Sequence, residues 1–96
     1  MTLERKEELN RLIYDLEEIQ LGFKDLRNKK YKGLEIDYNE TVKDHNSLVN
    51  ISDGLYEIDL IKGEVEEWEL QEMINLAIED IDNEISYIQE VLENYI

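Results

Sequence analysis

His45 is the only histidine in a chain that contains no cysteine. Thiolate nucleophiles, thiolate metal sites and disulfides are therefore out, and any acid–base or metal chemistry falls to carboxylates. Asp44 precedes His45, but neighbouring residues on a regular element seldom face each other, so His45 is expected to be a solvated residue near a turn. The carboxylates come in helical pairs, Glu69-x-x-Glu72 and Glu79-x-x-Asp82. Such pairs can share a divalent cation when their face of the helix turns inward. In the frame set by Ile74 and Ile78 both pairs lie outside the apolar seam. Asp80-x-Asp82-x-Glu84 lacks the glycine of a calcium-binding loop, and none of the four glycines, at 22, 33, 54 and 63, belongs to a phosphate-cradling loop. The expectation is a chain with no catalytic residues, no metal and no cofactor.

Two long amphipathic segments carry these residues. Leu9, Leu12, Leu16, Ile19, Phe23 and Leu26 recur at 3-4-3-4-3 spacing, which places them on one seam of a helix over about 3–31. Thr2 is its expected N-cap, Lys24, Arg27, Lys29 and Lys30 suit its negative C-terminal end, and Gly33 stops it. Ile74, Ile78, Ile81, Ile85, Ile88, Leu92 and Tyr95 repeat at 4-3-4-3-4-3, predicting a second helix over about 64–95, with Glu79, Asp82, Glu84, Glu90 and Glu93 on other faces. Between the helices the period shifts to two. Ser47 to Leu60, broken by Asp53-Gly54, reads as a β-hairpin with a type I′ turn. Leu34 to Tyr38 also alternates and supplies a candidate preceding strand. A rival reading makes Asn39 the cap of a short helix carrying Val42, His45 and Val49. The expected fold is a single α+β domain over residues 1–96, with two antiparallel helices flanking a hairpin or meander at about 34–61.

Charge is distributed unevenly. Residues 1–32 hold eight bases and seven acids, residues 33–62 two and seven, and residues 63–96 none and eleven, within a net charge of −15. Acids in the last third therefore have no basic neighbour one turn away on their own helix. They repel, or they meet a positive surface elsewhere. Such a chain disfavours nucleic acid and anionic membranes as direct partners. With 42% hydrophobic residues it is too apolar for a disordered acidic tail. No apolar run long enough to span a bilayer occurs, and the first residues lack the apolar stretch of a signal peptide, so a cytoplasmic protein is expected.

Glu69-x-x-Glu72 and Glu79-x-x-Asp82 are loosely similar to the acidic helix motifs of magnesium-dependent all-α nucleotide pyrophosphatases. That family implies a metal-dependent hydrolase, but its carboxylates face inward from the seam. The combination of small size, acidity and helix–hairpin–helix order is similar in general character to phage-encoded anti-defence inhibitors, including anti-CRISPR and anti-restriction proteins that mimic nucleic acid. That likeness implies a protein occupying a basic groove in a host-cell partner. The leading expectation is thus an inhibitor or adaptor that binds a basic protein surface through Glu66, Glu69, Glu72, Glu79, Asp80, Asp82, Glu90 and Glu93. Tyr14 and Leu21, opposite the first seam, and Tyr87 and Val91, off the second, predict a further surface suited to a homodimer or helical assembly.

Overall fold

A computed structural model describes residues 1–94. It contains three helices, α1 (Leu3–Leu26), α2 (Leu34–Asn46) and α3 (Glu67–Asn94), with a single 3-10 turn at Val49–Ile51. Helix accounts for 72% and no strand is present among the described residues, so the architecture is all-α and the expected hairpin is absent. The protein measures 46 × 19 × 16 Å. Its long axis matches α3, whose 28 residues at ~1.5 Å each span about 42 Å.

Both long helices form for the reasons their periodicity gives. Leu9, Leu12, Leu16, Phe23 and Leu26 of α1 are buried, as are Leu70, Ile74, Ala77, Ile78, Ile81 and Ile88 of α3. Ile19, Ile85, Val91 and Leu92 are half-buried against that core, and Tyr95 lies outside the described residues. Thr2 caps α1, its Oγ1 accepting from the Arg5 N–H at 3.1 Å. The helix stops five residues short of expectation. Asn28 takes a left-handed φ of 66°, and the Gln71 carboxamide accepts from its N–H at 2.8 Å and donates to the Lys29 carbonyl at 3.1 Å. Gly33, expected to end α1, instead precedes α2 with φ 97°.

α1 runs antiparallel to α3: Gln20 donates to the Ile78 carbonyl and to Asp82, while Lys30 pairs with Glu67 at 3.5 Å. Leu34, Tyr38, Val42 and His45 form the buried stripe of α2 at 4-4-3 spacing, and Tyr38 meets Phe23 of α1 with ring centroids 5.7 Å apart. The segment that alternates as a strand, Leu34 to Tyr38, is thus the first turn of a helix. Asn39 lies inside that helix instead of capping one.

The chain from Ser52 to Glu66 returns as an extended strap along α2 and α3. Asp53-Gly54 does turn the chain, with Leu55 N–H donating to the Ser52 carbonyl at 3.3 Å, but neither residue has positive φ, so the turn is not type I′. Beyond Gly54 the chain pairs with side chains of α2 in place of a strand. Asn46 donates to the Ile58 carbonyl and accepts from the Ile58 N–H, both at 2.9 Å. Asn39 does the same for Ile61, at 3.1 and 2.8 Å. Each carboxamide offers one donor and one acceptor, as a neighbouring strand's peptide group would. The spacings match: seven helical residues cover about 10.5 Å, and three extended residues cover about 10 Å. The strap accordingly turns every third residue inward, with Leu55 and Ile61 buried and Ile58 half-buried.

Candidate binding surface

His45 is 0% exposed and Glu84 7% exposed, and they meet at 2.7 Å between Nε2 and Oε1. Their positions follow from the seams: His45 continues the Tyr38, Val42 stripe of α2, and Glu84 lies three residues after Ile81 and four before Ile88. The expected placement of His45 in solvent, and of Glu84 on an outer face, is therefore corrected. The remaining contacts constrain the His45 tautomer. Asn46 Oδ1 accepts from the Ile58 N–H, so the His45 Nδ1 that meets it at 2.9 Å must be a donor. A proton shared between Nε2 and Glu84 Oε1 completes the pair, as imidazolium and carboxylate when it sits on the ring. Burial alone would lower the His45 pKa; hydrogen bonds to Glu84 and Asn46 and the charges of Glu84 and Asp80 outweigh it and raise the pKa above 6.5. The other carboxylate oxygen of Glu84 accepts from the Tyr56 N–H at 3.2 Å. One buried ion pair thus ties α2, α3 and the strap together.

The α3 carboxylates divide by direction. At ~100° per residue, Glu72, Glu79 and Glu90 fall within about 20° of one another, on the side opposite the buried seam. All three are exposed, and they mark a stripe about 27 Å long. Asp82 turns toward α1 and is engaged by Gln20 at 2.5 Å, so of the eight nominated carboxylates it is held by the protein's own fold. Glu69 is half-buried near the helix start, accepting from the Glu66 N–H at 3.4 Å. Glu66 and Glu93 are exposed. Among the described residues none of the eight has a cationic side chain within 4.0 Å, the ion pairs being Arg5–Glu8, Lys30–Glu67 and His45–Glu84.

Asp80 projects the other way, into a groove between α3 and the strap. One part of the groove, about 440 Å³, lies among Asp53, Tyr56, Asp80, Glu84 and Tyr87. A second part, about 250 Å³, continues past Glu57, Ile58 and Asp80 to Tyr38, Asp59 and Leu76. Partial burial, then the charges of Glu84 and Glu79, raise the Asp80 pKa, and His45 offsets this only in part. Tyr38 lines the second part with its ring 1% exposed, and burial, then Asp59 and Asp80, push its hydroxyl pKa up to about 12. Asp53, Tyr56, Glu57, Asp59 and Tyr38 were not among the expected binding residues. Only the strap's path along α3 brings them beside Asp80.

Of the residues nominated for self-association, Tyr14 and Leu21 are 62% and 53% exposed on α1. Val91 packs against the core. Tyr87 lies over Gly54, where an added Cβ would come within 2.1 Å of its ring. Among the described residues no group of three His, Asp or Glu is placed to hold a metal ion. No described helix is long and apolar enough to cross a membrane. No protein-family model, curated protein or solved structure matches the chain. The likeness to anti-defence inhibitors loses its hairpin and keeps only small size and acidity.

Proposed function

We propose that the chain is a non-enzymatic binding protein, an inhibitor or adaptor, that docks a basic surface of a partner protein. The observation that carries this reading is the α3 exterior. Glu72, Glu79 and Glu90 share one face, are exposed, and find no cation within the described fold. Like charges aligned this way repel one another, and a positive partner surface relieves that repulsion while steering association. In its narrower form the partner's groove is one built for nucleic acid. Support for that form is the number of exposed α3 carboxylates, six from Glu72 to Glu93; they are spread around the helix, so any one face is sparser than the ~3.4 Å phosphate spacing of one DNA strand.

Affinity capture from the native host at low salt, using wild type, Glu79→Lys and Glu90→Lys, tests the proposal. These two positions are cleaner than Asp82, whose replacement also breaks the Gln20 contact. Both reversals are expected to lose the captured partner while leaving the helical content unchanged. A partner retained by both would refute docking through this face.

The exposed apolar face of α1 favours a second reading, self-association. Leu3, Tyr14 and Leu21, 71%, 62% and 53% exposed, stand eleven and seven residues apart on one side of the helix. Sedimentation equilibrium of wild type and Tyr14→Glu distinguishes it: a dimer that dissociates in the variant supports the reading, and a wild-type monomer at high concentration removes it.

A further inference from the structure

We propose that the groove between α3 and the strap is the docking site for an arginine-bearing peptide segment of the partner. This rests on the reading of the chain as a binder of basic surfaces, and it adds which residue type the partner supplies and where that residue sits.

Three features of the groove select this occupant. The first is charge. Asp53, Glu57, Asp59 and Asp80 line it, no Lys or Arg does, and Glu84 at its floor is already matched by His45. The second is the aromatic wall. Tyr56 is 77% exposed and Tyr87 42% exposed, an unfavourable disposition for two rings in water and a suitable one for stacking a planar cation. The third is a polar group with no partner. Every sealed side-chain N or O atom among the described residues is hydrogen-bonded. The Tyr38 hydroxyl takes no part in those bonds and opens on the groove from a ring that is otherwise buried.

Guanidinium satisfies all three features better than ammonium does. In the first part its face stacks on Tyr56 or Tyr87 and its fork of donors meets the carboxylates, and in the second part an N–H of a further arginine meets the Tyr38 hydroxyl as acceptor. A lysine brings a compact, strongly hydrated charge that meets the carboxylates but does not stack flat on the rings. The two parts are adjacent, sharing Glu57, Ile58 and Asp80 in their linings, so a peptide lying along the strap can place side chains in both.

A fluorescein-labelled octapeptide alternating arginine with glycine provides the test, beside its lysine and citrulline counterparts. Its binding is followed by anisotropy, and its site by amide shifts in a nitrogen-15 spectrum. The arginine peptide is expected to bind at least about fivefold tighter than the lysine peptide, with the citrulline peptide silent. Shifts should centre on Tyr56, Glu57, Asp80 and Tyr87. Asp80→Asn and Tyr56→Ser should each weaken the arginine peptide about tenfold, while Glu90→Gln, on the outer stripe, changes it less than about twofold. Both groove substitutions are at exposed positions, and unchanged far-ultraviolet dichroism verifies that the variants fold. Equal losses from Asp80→Asn and Glu90→Gln, or equal affinity for arginine and lysine peptides, would place binding on the general acidic surface, sinking the groove while leaving the proposed function intact. No binding of the arginine peptide to wild type at millimolar concentration overturns the groove site outright. Only the capture experiment with Glu79→Lys and Glu90→Lys bears on the broader reading.

Discussion

Glu84→Ala removes the anion bonded to the buried imidazolium of His45, and its cost can be worked from the contacts. The Nε2–H loses its acceptor at 2.7 Å, in a position 0% exposed to water, and the Tyr56 N–H loses the other carboxylate oxygen. Breaking one side of a buried ion pair costs about 3–5 kcal/mol. A chain of this length has about 5–14 kcal/mol of stability in all, so the variant should lose a large fraction of it. Glu84→Gln keeps an acceptor for Nε2–H and should cost less, about 1–3 kcal/mol. The pair also sets a pH dependence. Because folding raises the His45 pKa above 6.5, the folded state keeps a proton that the unfolded state releases more readily. The resulting stabilisation is complete below about pH 6.5 and is lost as pH rises through the folded value, at up to about 1.4 kcal/mol per pH unit. Urea unfolding followed by helical dichroism between about pH 6 and pH 9 measures both effects. Wild type should weaken with rising pH, and His45→Gln and Glu84→Gln should be flatter. A wild type whose stability stays constant or climbs over that interval would refute the imidazolium assignment, as would a Glu84→Ala cost below about 1 kcal/mol.

Asn39→Ala leaves the N–H and carbonyl of Ile61 without their partner and should cost about 1–3 kcal/mol, with hydrogen exchange accelerated at Ile61 more than in α1. Tyr38 holds its proton to about pH 12 in the fold against 10.0 when unfolded. Its raised value means stabilisation present below pH 10.0 and lost above it, a fall of about 3 kcal/mol by complete ionisation that Tyr38→Phe should abolish in alkaline urea melts. Gly54→Ala sets a Cβ into the ring of Tyr87 and should cost about 1–3 kcal/mol; pairing it with Tyr87→Ala in a double-mutant cycle should recover most of that loss, and additive costs would mean the contact is not the cause.

The two long helices were legible because their seams are aliphatic and regular: every residue of the six-membered seam in α1 except Ile19 is buried. α2 was not, because its stripe ends in a histidine and its opening Leu34-Glu35-Ile36-Asp37-Tyr38 alternates as a strand would. Period two and a 4-4-3 stripe share Leu34 and Tyr38, and tertiary packing on Phe23 decides between them. The Asp53-Gly54 turn was correctly located for the wrong reason. Gly54 is needed where the Tyr87 ring lies, not for a left-handed conformation. Leu55, Ile58 and Ile61 carried a period-three signal that the hairpin reading passed over. Asn39 read as a cap residue, whereas its seven-residue spacing from Asn46 on a helix lets the two clasp an extended chain.

The candidate surface was half visible for the same reason. Charge bookkeeping located the acidic exterior of α3, and heptad counting separated it from the core. It could not sort Asp80, facing the strap, from Asp82, facing Gln20, since that depends on which neighbour covers each flank. Glu84 and His45 were misplaced on outer faces because a polar residue at a seam position reads as solvated until its partner on another helix is known; here each is the other's partner.

Ionic strength offers the most direct test of recognition through the acidic exterior. With the captured partner purified, the affinity of the complex is measured by titration calorimetry across a series of salt concentrations. A steep loss of affinity is expected as salt rises, with Glu79→Lys and Glu90→Lys showing both weaker binding and a shallower dependence. Affinity that is unchanged across the series, in wild type and variants alike, would contradict docking through these carboxylates.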